Sequence, residues 1–403
     1  MNHLIPSQHG RQDDPIFALN REATRQRERG DAVINATLGA LLDDDGKLAV
    51  LPTAARVVHE VKPVDWATYS PIAGNPDFLR AVIAEALAEA HELRETAVAS
   101  ATPGGSGALH HAITNFLDPG QSLLTSSFYW GPYQTIADAA GRGVATFRRF
   151  DAAGKFDLDA LDRALGAQLR AQGRALVFLN DPCHNPTGYS MRQGEWDQVM
   201  SILARHAERA PVALLLDMAY AAYGSQSPRA LVKQLSPLLG KVLILVAWTA
   251  SKTFTHYGLR VGALLACTPD DGERAEIGNA LTYASRGTWS NCNRGGQTAI
   301  TRLLTEPALA EACDAERARL RQMLQGRVTT FNAAAQARGL RFPSYEGGFF
   351  VTVFHGDPEA KAAAMREQGV FVVPQVGPEA NGLRVGLCAV AERDIARLVD
   401  ALV

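Results

Sequence analysis

The amino-acid sequence predicts an α/β fold: a mostly parallel, seven-stranded sheet in a large domain, with a smaller α+β domain beside it. Three observations carry this expectation. Short apolar segments alternate with helix-like stretches between residues 97 and 267, the pattern that builds a parallel sheet covered on both faces. From Glu306 the pattern switches to one long helix and then to short mixed elements. The 403 residues, 47% hydrophobic and 20% charged, are enough for two domains with substantial cores.

Residues 1–30 are polar, with a helix-like stretch over 15–29. Residues 35–46 read as a loop with an acidic turn, and Pro52 opens a helix through Val61. Residues 75–93 read as one amphipathic helix with Phe78, Leu79, Val82, Ile83, Ala86 and Leu87 on its apolar face. Strands of the large sheet are expected at 97–102, 122–126, 145–150, 175–180, 212–217, 242–248 and 261–267. Helices fit between several of them, at 106–116, 133–141, 158–171 and 193–209. A long helix over about 308–338 then leads to strands at 349–353, 370–373 and 383–387, a helix at 359–368 and a final helix from Glu392. The expected large domain is 47–305, and the discontinuous small domain is 1–46 with 306–403, joined by the long helix. Without repeats or a Pro- or Ser-rich linker, the two should pack closely.

A formal net charge of −2 and the lack of any run of five basic residues exclude nucleic acid and anionic membrane as partners. The five cysteines are scattered and free of CxxC spacing, which fits reduced thiols. The N-terminus has no apolar signal core and no run of 18 apolar residues occurs, so a soluble cytoplasmic protein is expected. His110, His111, His184 and His256 show no metal-ligand spacing with a carboxylate, and no metal is expected.

The run Ala250-Ser-Lys-Thr-Phe-Thr-His-Tyr-Gly-Leu-Arg-Val-Gly262 follows an apolar strand. A lysine at such a buried strand end is desolvated, which lowers its pKa and suits it to act as an amine nucleophile or Schiff-base partner. Arg260 opens the next apolar run and could hold an anion. Thr102-Pro-Gly-Gly-Ser-Gly-Ala108 lies between a strand and a helix, where glycines and free helix N–H groups suit a phosphate; it also suits an ordinary turn. It is not a Walker loop. Trp130 follows the next strand and could stack on a flat ring or pack in the core. Asn180-Asp-Pro-Cys-His-Asn-Pro-Thr-Gly188 is stiffened by two prolines, and Asn185 could donate to a phenolate oxygen. Asp217 ends a buried strand, with Tyr220 three residues on. A buried carboxylate needs a partner, which a protonated pyridine nitrogen would supply.

Together these motifs resemble the class I aminotransferases, pyridoxal phosphate enzymes of fold type I, and within them the aspartate and aromatic amino acid branch. The resemblance runs from Asn35 to Arg384, with the Asn-Pro-Thr-Gly and Ser-Lys-Thr-Phe…Gly-Leu-Arg-Val-Gly runs its most specific parts. It implies pyridoxal 5′-phosphate as cofactor, with Lys252 as the Schiff-base lysine, Asp217 at the pyridine nitrogen and Asn185 and Tyr220 at the ring oxygen. It further implies Trp130 stacked on the ring, and Gly105, Ser106, Arg260 and the hydroxyl of Thr249 at the phosphate. Tyr69 matches a tyrosine that reaches the phosphate of a neighbouring subunit, implying a homodimer with shared active sites. Arg384 matches the arginine that grips the substrate α-carboxylate, and Gly39 a loop that closes over it. Arg286, in Arg286-Gly-Thr-Trp-Ser-Asn291, matches an arginine lent by the partner for a side-chain carboxylate.

The chain departs from the aspartate enzymes at Tyr133, where they usually carry His or Asn, and at Thr249, Leu41 and Cys292-Asn293. These changes spare the cofactor chemistry and open the side-chain specificity to aromatic donors. The implied activity is a ping-pong amino transfer between an L-amino acid, aspartate or aromatic, and a 2-oxo acid such as 2-oxoglutarate. Catalysis is assigned to Lys252, Asp217 and Tyr220, with Trp130 and Asn185 also near substrate. Two other readings share the lysine: a lyase or synthase on the same fold, and a non-catalytic pyridoxal-phosphate-binding regulator.

Overall fold

A computed structural model describes residues 3–5, 8–11 and 13–403. The short strand β1 (Ile34–Asn35) precedes the seven strands of the main sheet: β2 (Ala97–Pro103), β3 (Ser122–Ser126), β4 (Gly143–Phe147), β5 (Ala175–Asn180), β6 (Val212–Asp217), β7 (Leu243–Thr249) and β8 (Val261–Cys267). Their order across the sheet is β2-β8-β7-β6-β5-β3-β4. Only β8 runs against its neighbours; every other pair in the sheet is parallel.

Consecutive residues of the central strands face opposite cores. Leu176, Phe178, Leu215 and Leu245 join the cluster under helix Gly104–Phe116. Val177, Leu179, Leu214, Ile244 and Val246 join the larger cluster on the other side. Burial on both faces is why these strands read as continuous apolar runs.

The remaining strands are β9 (Phe350–Phe354), β10 (Val370–Phe371), β11 (Val373–Gln375) and β12 (Gly382–Gly386). Strands β11, β12 and β9 form an antiparallel sheet in that order, whereas β10 pairs in parallel with β1. They share a separate core with the 31-residue helix Pro307–Ala337 and the terminal helix Ile395–Leu402, through Val328, Phe331, Val351, Leu383 and Leu398.

Three expected elements differ. Residues 75–93 are two helices, Pro76–Ala86 and His91–Glu95, because Leu87 leaves helical geometry and the chain turns into β2 with Leu87 and Ala90 buried. Strand β4 lies at Gly143–Phe147 instead of 145–150, since its register is set by Ser122 opposite Gly143. Segment 370–373 is split between two sheets on either side of Val372.

One close approach fixes the sheet edge that matters for function. A methyl group at Gly262 would sit 2.5 Å from the Gly104 carbonyl carbon, so β8 and the turn after β2 touch backbone to backbone. Gly262→Ala should therefore overpack this seam and destabilise the protein by about 1–3 kcal/mol. A lowered urea midpoint would show it, and an unchanged midpoint would mean the turn has room to move.

Candidate active site

With β8 reversed, the carboxyl ends of β2, β3, β5, β6 and β7 and the amino end of β8 share one edge of the sheet. There a cavity of about 180 Å³ is lined by Gly105, Ser106, Leu109, Trp130, Asn180, Asn185, Asp217, Ala219, Tyr220, Thr249, Ser251, Lys252 and Arg260. Carboxyl-end crevices are where open α/β sheets place ligands.

Lys252 lies in the four-residue helix Ala250–Thr253, started by the Thr249 hydroxyl, which accepts from the Ser251 N–H at 3.2 Å. Its Nζ lies 5.0 Å from the ring centre of Tyr257 and 5.6 Å from that of Tyr220. Burial, opposed by nearby Asp217, lowers its pKa to about 8.

Asp217 ends β6 in register with Asn180 at the end of β5. Its Oδ2 accepts from the Tyr133 hydroxyl at 2.7 Å and its Oδ1 from the Ala219 N–H at 3.1 Å. It has no ion pair among the described residues, and burial raises its pKa. Asn180 donates to the Asp217 carbonyl at 2.8 Å and accepts from the Asn185 N–H at 2.6 Å, tying the Asn-Pro-Thr-Gly loop to β6. Asn185 donates to the Tyr220 hydroxyl at 3.3 Å, while its own Oδ1 is buried without a partner.

At the other end of the cavity, helix Gly104–Phe116 starts without a side-chain cap, leaving its first N–H groups free. Arg260 stands beside this turn. Its Nη1 donates to Ser251 Oγ at 3.3 Å and the Tyr257 carbonyl at 3.0 Å, and its Nη2 to the Pro103 carbonyl at 3.4 Å. Thr249 Oγ1 donates to Ser251 Oγ at 3.0 Å. A helix start, hydroxyls and a guanidinium form a cradle for a phosphate-sized anion.

Arg384, on β12, is buried. Its Nη2 donates to the Thr37 carbonyl at 2.7 Å, its guanidinium lies 4.7 Å from the Phe350 ring centre, and its Nε is unpartnered. It too lacks an ion pair among the described residues, and burial lowers its pKa. Gly39 packs where a Cβ would come within 3.1 Å of the Phe350 ring. The neighbouring Leu41 N–H donates to the Tyr257 hydroxyl at 3.1 Å.

Of the residues singled out from sequence, Gly105, Ser106, Trp130, Asn185, Asp217, Tyr220, Thr249, Lys252 and Arg260 line this one cavity. Gly39, Arg384, Tyr69 and Arg286 do not. Tyr69 is 85% exposed, and Arg286, exposed as well, donates to Ser290 Oγ at 2.9 Å. Sequence reasoning missed Asn180, Ser251 and Tyr257. Asn180 closes an apolar run in the same way as Asp217, and the other two lie within the run around Lys252. Among the described residues no group of His, Cys, Asp and Glu could hold a metal ion, and no helix is long and apolar enough to cross a membrane.

The family model for aminotransferase class I and II matches residues 31–402. The chain belongs to that family. The aminotransferase of Anaerococcus prevotii DSM 20548, a solved structure, is 32% identical, with a TM-score of 0.94 over 100% of this chain and 98% of the other. The aromatic-amino-acid aminotransferase of Paracoccus denitrificans is 27% identical over 377 residues, 89% of this chain and 91% of its own. A third relative, the Burkholderia pseudomallei aromatic-amino-acid aminotransferase, was solved covalently bound to pyridoxal phosphate. It shares the fold at 24% identity and a TM-score of 0.80, over 99% of each chain.

In this aminotransferase the Lys252 amine should become nucleophilic as pH rises through about 8, well below the ordinary lysine value of 10.5. Reductive methylation with ¹³C-formaldehyde and an NMR pH titration of the ligand-free protein would resolve it from exposed lysines. A Lys252 signal titrating with the bulk would mean the cavity admits more water than the structure shows.

Proposed function

We propose that this chain is a pyridoxal-5′-phosphate-dependent transaminase that moves an amino group between an L-amino acid, aspartate or aromatic, and a 2-oxo acid such as 2-oxoglutarate. The observation that carries this reading is the pairing, in one cavity, of a lysine lowered to about 8 with a buried carboxylate that has no ion pair among the described residues.

The cavity suits the cofactor on its own terms. Among the described residues Asp217 has no ion pair and Asn185 Oδ1 no hydrogen-bond partner, and the helix start beside Arg260 offers free N–H groups. Asp217 would hold the ring nitrogen, Asn185 and Tyr220 the ring oxygen and Trp130 the ring face. Gly105, Ser106, Thr249 and Arg260 would hold the phosphate. Bound there, pyridoxal phosphate supplies the electron sink that lets the amino acid Cα give up its proton.

The protein's own share is binding, orientation and proton movement. Arg384 takes the substrate α-carboxylate, its buried guanidinium having no ion pair among the described residues. Lys252 Nζ removes the Cα proton and returns it, and a pKa of about 8 leaves an appreciable neutral fraction near neutral pH. Two half-reactions, one releasing an oxo acid and one consuming another, complete the ping-pong cycle.

The proposal includes a homodimer. Exposed Tyr69 and Arg286 fit residues lent to a partner's site, Tyr69 for the phosphate and Arg286 for a substrate side-chain carboxylate. It also includes the division into a large domain, 47–305, and a small one, 1–46 with 306–403, supported by their separate cores. Arg384 and Gly39 then sit on the small domain and close on substrate held by the large one. Five buried free cysteines fit a reducing cytoplasm.

Two measurements test this. Arg384→Ala should raise KM for every amino acid on the order of 100-fold, the loss of two charge-assisted hydrogen bonds; an unchanged KM would move the carboxylate anchor elsewhere. The second incubates the yellow protein with 2-oxoglutarate and either L-aspartate or L-phenylalanine, measuring glutamate by chromatography, with Lys252→Ala as the inactive control. Glutamate from aspartate alone supports Arg286 as a dicarboxylate clamp, and glutamate from both supports dual specificity. None from either overturns the substrate assignment.

A further inference from the structure

One buried histidine has a place in the fold that neither a metal nor the cofactor cavity explains. His111, fully buried on helix Gly104–Phe116, sets its Nε2 2.9 Å from the hydroxyl of Ser285, the residue before Arg286. We propose that His111 is a positioning residue for Arg286 and thereby favours dicarboxylic over aromatic amino acids, a role that rests on reading Arg286 as the clamp for a substrate side-chain carboxylate.

Arg286 lies in the last turn of helix Asp271–Thr288 and is exposed. A long side chain at such a place has much rotamer freedom to lose before it can grip a ligand. Here several contacts remove part of that freedom in advance. The guanidinium donates from Nη1 to Ser290 Oγ at 2.9 Å. Ser290 sits in the left-handed backbone region, at φ 65°, and its N–H donates to the Ser285 carbonyl at 2.9 Å. The Trp289 N–H donates to the same carbonyl at 3.2 Å. Ser285 therefore anchors the whole turn that orients the arginine. His111 holds this anchor twice, through the Ser285 hydroxyl and through the Trp289 ring, whose centre lies 4.3 Å from its own at 32° between planes. Ser100 Oγ, on β2, lies 3.4 Å from Ser285 Oγ and ties the same point to the sheet.

Histidine suits this position for reasons that packing does not supply. Its Nδ1 and the Trp289 Nε1 are buried without a hydrogen-bond partner among the described residues. A leucine would fill similar space without that penalty. The nitrogen that does find a partner is the one aimed at Ser285. Burial, with the neighbouring His110 behind it, lowers the His111 pKa to about 3, so the ring is neutral near neutral pH. It can thus bond Ser285 without placing a second positive charge near the arginine. A side-chain carboxylate gains a charge-assisted pair from an oriented guanidinium, and an aromatic side chain gains far less. Loosening Arg286 should therefore affect one class of substrate and spare the other.

The experiment uses the holoprotein with His111→Leu, which keeps the bulk and deletes the hydrogen bond, and His111→Gln, which restores one. Calorimetry gives the Kd of succinate, a dicarboxylate that cannot be transaminated, and of 3-phenylpropanoate, an aromatic monocarboxylate. Steady-state kinetics give KM and kcat for L-aspartate and L-phenylalanine. His111→Leu should raise the succinate Kd and the aspartate KM about tenfold, the scale of one hydrogen bond to a charged group, with the aromatic values within about twofold of wild type. His111→Gln should recover most of the loss. Equal losses for both classes would give His111 a structural role only and overturn the proposal, as would a folded variant with the wild-type ratio. If His111→Leu does not fold, Ser285→Ala, which removes one oxygen from a helix position, should show the same selective loss; an unchanged ratio there overturns the proposal equally. A wild-type protein that neither binds succinate nor uses aspartate overturns the reading of Arg286 and this inference with it. Wild-type use of aspartate beside an unaltered variant overturns this inference alone.

Discussion

Taking a carboxylate out of water at a sheet edge is costly unless hydrogen bonds and a cation replace the solvent, and Asp217 imposes that constraint on everything around it. Its two oxygens are met by Tyr133 and the Ala219 N–H, its carbonyl by Asn180, and no ion pair completes the set among the described residues. Burial still raises the pKa of Asp217 against these hydrogen bonds. The same lack of water pushes Lys252 the opposite way. One physical cause, burial, thus moves the acid up and the base down, opposite shifts of two ionisable groups without any special residue type.

The reversed strand makes this edge workable. Parallel strands deliver their carboxyl ends to one side, which accounts for Asp217, Lys252, Asn185, Trp130 and the Gly104 turn. A parallel β8 would carry Arg260 to the far side. Because β8 returns antiparallel to both β2 and β7, its first residues lie beside Thr249 and Pro103, with Gly262 opposite Thr102 and Thr249. The anion cradle therefore depends on a chain reversal of 11 residues and on Gly262 having no side chain to push the Gly104 turn away.

Much of this was legible in the sequence, and the limits have physical reasons. Four strands, β3, β5, β6 and β8, fall where expected; β5, β6 and β8 are buried along their whole length, so no polar side chain interrupts them before their last residue. Strand β4 was misplaced because Arg148, Arg149 and Phe150 follow it. Arg149 is a buried guanidinium among the rings of Phe150, Phe156 and Tyr189, so burial there did not mark a strand. The helix break after Ala86 carries no glycine or proline and is imposed by the turn into β2, a tertiary demand that local propensity does not register. In the site, the motif residues lining the cavity were readable because each lies at a strand end or within about five residues of one. The Tyr133–Asp217 and Asn180–Asn185 bonds were not, since a hydrogen bond across a sheet edge leaves no trace in spacing.

Arg384 completes the logic of a site left electrostatically unfinished. It is a buried cation, held by a carbonyl and the face of Phe350, with one nitrogen unpartnered and no ion pair among the described residues. A substrate carboxylate would supply that anion, just as a protonated ring nitrogen would supply the cation missing from Asp217. Each deficit is tolerated because the surrounding core is rigid: Phe350 is fixed by Tyr220 and Phe349, and Thr352 by the Pro186 carbonyl. A fold that satisfied both groups internally would be more stable and would have no reason to bind either ligand. Unpaired buried charge alone does not mark the site, since Arg149 is likewise buried among aromatic rings; what distinguishes Asp217 is that it lines one cavity with Lys252 and Arg260.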